Sequence, residues 1–268
     1  MNPPDLRPPR LVVSDLDGTL LRSDGTFSER TVAAVADLQA TGIGWVVATA
    51  RPPRWMHDLG PLVGDEGVAI CSNGAFVYDV ANRTVVAERT IPLEALTEIV
   101  SDLKDAVPDI SFAVEHRDGF GRETGYEDEY READIRLVAA VPELFEPLPG
   151  KLLARSAAAD HATFLATVAT VVGDRAVVAF SGATGLAEIS AAGVTKAAVL
   201  ATWCEERGLE ADDVWAFGDM PNDLPMLSWA GTAFAVANAH PDVVAVADHT
   251  VASNDEDGVA QILETLLT

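Results

Sequence analysis

The sequence predicts an α/β protein: a doubly wound parallel sheet interrupted by an inserted α+β unit. Three observations lead there. Short apolar runs alternate with helix-period segments at both ends of the 268-residue chain. Between those ends, strand-like runs follow one another before a helix appears. Acidic residues stand directly after several of the apolar runs, where an open parallel sheet presents side chains to a ligand.

Leu11 to Ser14 reads as a buried strand. It runs into Asp15-Leu16-Asp17-Gly18-Thr19, and a hairpin is expected beyond, turning at Asp24-Gly25. Ser28 can cap a helix from Glu29 to about Ala40, which Gly42 ends. Ile43 to Ala48 and Val68 to Cys71 are the next buried strands. The period then changes. Ala75 to Tyr78 and Thr84 to Arg89 read as strands around a turn at Asn82. A helix follows over Leu93 to Ala106, then a strand over Ile110 to Glu115. His116 to Tyr130 is polar, acidic and glycine-bearing, and is expected as a loop. Lys151 to Arg155 and Ala176 to Ser181 are strands flanking a helix over His161 to Val172. The first pattern is expected back near Leu186. It continues with a helix over Thr195 to Arg207 ended by Gly208, a strand over Val214 to Phe217 and a helix near Asp223 to Trp229. A strand at Thr232 to Val236, a helix near Pro241 to Val246 and a last helix from Gly258 complete it. The expected division is a core of residues 1–82 and 188–268 with an insert of 83–187.

Composition narrows the function. The formal net charge of −24 argues against a nucleic-acid partner, because phosphate backbones need Lys and Arg. An anionic substrate then needs a local cation. Cys71 and Cys204 suggest neither a disulfide framework nor a zinc site. Met1 to Arg10 is polar and proline-rich, and is expected to be a flexible tail rather than a signal peptide. No apolar run reaches the roughly 18 residues of a membrane span. A cytoplasmic protein without a membrane partner is expected; its oligomeric state is not legible.

The strand ends carry the chemistry. Asp15, Thr49 and Asp219 each follow an apolar run, so three strands would deliver two carboxylates and a hydroxyl to one sheet edge. Asp17 and Asp223 add two more carboxylates. Such a cluster repels itself unless a cation neutralises it, and an oxygen-only donor set suits Mg²⁺. Lys196 falls in the first turn of its helix, where the macrodipole disfavours a cation by about 0.3–1 kcal/mol. A phosphate or a carboxylate cluster nearby would repay that. On this reading, removing Lys196 costs activity but not stability.

Together these residues resemble the haloacid dehalogenase superfamily, whose phosphatases show four motifs in order. Asp15-Leu16-Asp17-Gly18-Thr19 is similar to the first, Thr49 in Ala48-Thr49-Ala50-Arg51 to the second, and Lys196 in Gly193-Val194-Thr195-Lys196 to the third. Gly218-Asp219-Met220-Pro221-Asn222-Asp223 is similar to the fourth. The insert lies between the second and third motifs and resembles the α+β caps of Cof-like sugar phosphatases. Ser72-Asn73-Gly74-Ala75 resembles that subgroup's hinge segment, and Asn254 with Asp257-Gly258-Val259 its C-terminal signature. Ala50 and Ala197 depart from the pattern, which frequently has glycine there.

The resemblance implies a Rossmann-like core, an inserted cap and a Mg²⁺-dependent phosphatase of small phosphorylated metabolites, sugar phosphates foremost. Asp15 would attack phosphorus and form an aspartyl-phosphate. Asp17 would protonate the leaving oxygen and then activate water. Thr49 and Lys196 would hold phosphoryl oxygens. Asp15, the backbone carbonyl of Asp17, Asp219 and Asp223 would hold the metal. Gly18, Ala50, Arg51, Asn73, Gly74 and Asn222, inside the motifs, are expected to line the substrate site. A phosphomutase or phosphotransferase on the same scaffold, or a catalytically silent binding domain, remains the alternative. No GxxxxGK[ST] stretch supports a P-loop kinase. Specificity is expected in the insert, where part of the segment from His116 to Tyr126, which carries His116, Arg117, Asp118, Arg122, Glu123 and Tyr126, touches the leaving group, with Arg117 and Arg122 the residues that test it.

Overall fold

The computed structural model describes residues 6–63, 67–126, 135–138, 140–157 and 160–267. The chain opens with β1 (Leu11–Ser14), α1 (Glu29–Ala40), β2 (Gly44–Ala48), α2 (Gly60–Val63), β3 (Val68–Cys71), β4 (Phe76–Asp79) and β5 (Thr84–Glu88). The middle holds α3 (Leu93–Ala106), β6 (Ser111–His116), β7 (Gly119–Arg122), β8 (Ile135–Val138), β9 (Lys151–Arg155), α4 (His161–Val172), β10 (Ala176–Ala179) and β11 (Leu186–Ala191). The last part holds α5 (Lys196–Glu205), β12 (Val214–Gly218), α6 (Leu224–Trp229), β13 (Thr232–Val236), α7 (Pro241–Val246), β14 (His249–Val251) and α8 (Gly258–Thr265).

Among the described residues these strands form two sheets. The larger has eight strands in the order β14-β13-β12-β1-β2-β3-β4-β5, and the smaller six in the order β10-β11-β9-β6-β7-β8. In the larger sheet β1 pairs in parallel with both β2 and β12, whereas β4 and β5 run antiparallel. All four β1 residues are buried. Val12 packs with Leu38 and Leu263 on one face, and Leu11 and Val13 pack with Val199 and Leu200 on the other. That is why β1 reads as an unbroken apolar run rather than an alternating one. Ser28 caps α1 by accepting from Thr31 N, and Thr195 caps α5 by accepting from Ala198 N.

Several expectations need correction. The turn at Asp24-Gly25 closes through Arg22 and Thr26, but an isolated Asp17–Leu21 bridge replaces a hairpin ladder. Arg22 and Ser23 bind Asp257 and Asp255 instead, which draws the chain toward α8. The expected loop from His116 contains a strand: β7 pairs antiparallel with β6. Gly121 serves packing, since a Cβ there would lie 3.2 Å from Val114 Cγ2 and 3.3 Å from Leu144 Cδ2. The rest of that loop, residues 127–130, lies outside the described residues. β5, inside the expected insert, is the edge strand of the larger sheet. β11 pairs with β9 and β10 in the smaller sheet and runs past residue 187 to Ala191. Within the expected flexible tail, Arg7 and Arg10 both pair with Asp213; residues 1–5 lie outside the described residues. Among the described residues no helix is long and apolar enough to cross a membrane.

Candidate active site

β1 ends at Ser14, so Asp15 is the first residue past its carboxyl end. It is buried, and Lys196 from the first turn of α5 donates to its Oδ1 at 2.5 Å. The same ammonium donates to Asp223 Oδ1 at 2.7 Å. Asp223 Oδ2 accepts from the backbone N–H groups of Asp219 and Met220, both at 3.1 Å, which fixes the turn after β12. Asp219 Oδ1 accepts from Thr19 Oγ1 at 2.9 Å. The dipole penalty at the start of α5 is thus met by two buried carboxylates.

Gly18 is required twice over. Its φ of +79° lies in the left-handed region, and a Cβ there would sit 2.3 Å from Asp219 Oδ2. Gly18→Ala should destabilise the protein by about 1–2 kcal/mol. Thermal melts check this; a wild-type melting temperature would show that the turn can shift.

Asp17 points elsewhere. Its half-exposed carboxylate is gripped by Arg51 through Nε at 2.8 Å and Nη2 at 2.5 Å. Thr49, fully buried at the end of β2, accepts the Arg51 N–H on Oγ1 at 3.0 Å and so shapes the loop that carries Arg51. Asn73 sits in left-handed backbone after β3; its side chain donates to Glu188 Oε2 at 3.1 Å and accepts from Asn222 at 3.2 Å. Gly74 packs instead against α5: a Cβ there would lie 2.7 Å from the Thr195 carbonyl oxygen, so this glycine spaces elements and does not line the cavity described below.

The electrostatics favour a cation. One oxygen each from Asp15, Asp219 and Asp223 lie within 4.8 Å of one another, and all three residues are buried. Burial holds the Asp15 carboxyl well above its ordinary range against the pull of Lys196, and Asp223 and Asp219 push it further. Burial and then Asp223 push Asp219 up to about 7. Burial works against the Lys196 charge, but Asp15 and Asp223 outweigh it and hold the ammonium protonated. An all-oxygen, crowded set of carboxylates, two of them held above their ordinary range, fits a small hard divalent cation.

In front of Asp15 and Asp17 lies a cavity of about 350 Å³, between the larger sheet's carboxyl edge and the smaller sheet. Ala50, Arg51 and Asn222 line it with those two acids. Its far wall is built by Arg54, Trp55, Glu115, Phe120, Tyr126, Lys151 and Glu188, of which the sequence reading names only Tyr126. Lys151 donates to Glu188 at 2.7 Å and across to the Ala50 carbonyl at 2.8 Å; Arg54 donates to Glu115 at 2.6 Å. A signal did exist, since Lys151, Glu188 and Glu115 are charges within apolar strands, which bury charge only when it is paired. Arg117 and Arg122, the expected leaving-group contacts, are not on this wall. Arg117 binds Glu88 and the Val85 carbonyl of β5, and Arg122 donates to the Tyr126 carbonyl. Phe120 and Tyr126 of the same segment face the cavity instead.

A family model described as haloacid dehalogenase-like hydrolase matches residues 12–263. The chain is 29% identical over 272 residues to the 5-amino-6-(5-phospho-D-ribitylamino)uracil phosphatase YitU of Bacillus subtilis, covering 96% of this chain and 97% of that protein. It is 25% identical over 274 residues to the pyridoxal phosphate phosphatase YbhA of Escherichia coli, covering 95% and 97%. Among solved structures, SMU.1108c of Streptococcus mutans superposes with a TM-score of 0.82 at 26% identity, over 96% of this chain and 98% of that one.

Proposed function

The chain belongs to the haloacid dehalogenase-like hydrolases, and from that premise we propose that it is a Mg²⁺-dependent phosphatase hydrolysing phosphomonoesters of small metabolites, sugar phosphates among them. The observation that carries this reading is Lys196 bridging the buried Asp15 and Asp223, with Asp15 itself lining a cavity large enough for a small metabolite.

Asp15 Oδ2 attacks phosphorus while Lys196 holds Oδ1, and the bond from phosphorus to the ester oxygen breaks. Asp17 gives its proton to that oxygen as the alcohol leaves. The phosphoryl group is then on Asp15. Water attacks it, Asp17 takes the proton from the water, and phosphate departs with Asp15 restored. Arg51 holds the ionised Asp17 carboxylate at the mouth of the cavity and releases one of its oxygens when Asp17 carries the proton. Lys196 and Thr49 steady the phosphoryl oxygens. Asp15 and Asp219 would hold the metal with Asp223 behind them, and bound Mg²⁺ supplies positive charge against the phosphoryl oxygens. The inserted strands act as a cap over this site.

Phosphate release should require Mg²⁺ and stop in chelator; full activity in chelator would overturn the metal assignment. The pH dependence has a definite sign. Asp219 holds its proton to about 7 in the fold against an ordinary 3.8. The stability from that proton is complete below 3.8 and is lost as pH rises through about 7. In chelator, then, melting temperature should fall as pH rises from about 6 to 8, and Mg²⁺ should reverse the fall by replacing the proton. Melts over that window, with and without Mg²⁺, decide it: a flat profile would mean that the carboxylates ionise freely.

A further inference from the structure

Three successive residues after β3 lie in left-handed backbone: Ser72, Asn73 and Gly74, with φ of +51°, +56° and +111°. For serine and asparagine that conformation is unfavourable, and it persists only where the surroundings impose it. Here the loop after β2 imposes it. The Ser72 N–H donates to the Arg51 carbonyl at 2.9 Å, and the Asn73 N–H to the Thr49 carbonyl at 3.0 Å. Between them the Ala50 carbonyl accepts from Lys151 of β9 at 2.8 Å. The three carbonyls from Thr49 to Arg51 are thus held from outside their loop, two by the strained turn and one by the smaller sheet.

The Asn73 side chain joins these two holders. It donates to Glu188 Oε2 on β11 at 3.1 Å, and Lys151 donates to Glu188 Oε1 at 2.7 Å. Thr49, Asn73, Glu188, Lys151 and Ala50 therefore close a ring. It leaves the larger sheet, crosses two strands of the smaller one and returns to the residue next to its start. Asn73, Glu188 and Lys151 are 4%, 5% and 2% exposed, so water competes little for these bonds. Asn73 Oδ1 also accepts from Asn222, the neighbour of Asp223, at 3.2 Å. One residue thereby touches the loop of Thr49 and Arg51, the turn of Asp223, and the smaller sheet. It does not line the cavity in front of Asp15.

Resting on the phosphatase reading, we propose that Asn73 is a positioning residue: it couples the seating of the smaller sheet, through Glu188, to the loop that places Thr49 and, by way of Arg51, Asp17. Those two groups act on the phosphoryl oxygens and the leaving oxygen, which every substrate shares. The coupling therefore governs the chemical step rather than affinity for any one leaving group.

The test is phosphate release in Mg²⁺ from glucose 6-phosphate and from acetyl phosphate, whose leaving group is small. Asn73→Gly removes the side chain and takes the left-handed turn more readily than asparagine does. Its kcat should fall about tenfold on both compounds, with KM within about twofold of wild type. Its melting temperature should stay close to wild type. In Glu188→Gln the amide oxygen goes to the Lys151 ammonium, which leaves an NH₂ group against Asn73. Its kcat should fall likewise, and the double variant should fall no further than the worse single one. Should Glu188→Gln fail to fold, the two-substrate comparison on Asn73→Gly carries the test. Unchanged kcat in Asn73→Gly, a loss on glucose 6-phosphate alone, or losses that multiply in the double variant overturn this inference and leave the phosphatase reading standing. So does a loss of kcat in Asn73→Gly that comes with a clearly lower melting temperature, which would make Asn73 a structural brace. No release by the wild-type protein from either compound overturns the phosphatase reading and the inference with it.

Discussion

Asp15→Asn should lose phosphatase turnover by a factor on the order of 10⁴ or more while the protein stays folded. The amide has nearly the shape of the carboxylate, but its oxygen cannot serve as the nucleophile. The fold should tolerate the exchange. Burial already disfavours charge on Asp15, and Lys196 keeps its second carboxylate partner, Asp223, at 2.7 Å. Phosphate release and thermal melting, measured together, test both halves. A variant that keeps more than a few per cent of activity would remove Asp15 from the nucleophile's role. A variant that loses activity only because it unfolds would leave that role unproven and contradict the stability half.

Lys196→Ala should lose activity and, against the expectation from helix position alone, lose stability as well. The macrodipole argument treats this lysine as a surface cation worth less than about 1 kcal/mol. It is 1% exposed and bonded to two buried carboxylates. Removing it strands those charges, and stripping one partner from a buried pair costs about 3–5 kcal/mol. The loss should shrink as pH falls and Asp15, already held above its ordinary range, takes a proton. It should also shrink in Mg²⁺, which supplies another positive charge. Melts of both proteins in chelator check this, and equal melting temperatures would restore the helix-dipole reading.

How far sequence reaches here depends on the range of the cause. The strand ends at Asp15, Thr49 and Asp219 are legible because the cause is local: an apolar run stops at a polar side chain. Ser28 as a cap is legible for the same reason. β7 is not, because Gly121 looks like a loop residue until Val114 and Leu144 are found against it. The affiliations of β5 and β11 depend on which sheet each strand pairs with, and neither strand records that in its own residues. The far wall of the cavity is harder still. Lys151 meets Ala50 across 101 positions and Glu115 meets Arg54 across 61, with no periodicity linking them. Lys196 shows both sides at once. Its misplaced charge is visible in sequence, but the burial that decides its energetic role is not.

The position of β1 between β2 and β12 has a consequence for synthesis. β2 follows it closely, but β12 begins at Val214, after the whole insert. A ribosome that has translated the first 213 residues has made Asp15 without one of its strand's two neighbours, and without the Asp219 and Asp223 that complete its surroundings. Until then one edge of β1 can pair with any strand that reaches it. Closing contacts of such long range is slow compared with forming local helices and hairpins. The insert, whose sheet pairs only strands between Ser111 and Ala191, has no such wait and can assemble first. The nascent chain can therefore carry a finished smaller sheet before β1 has its second neighbour.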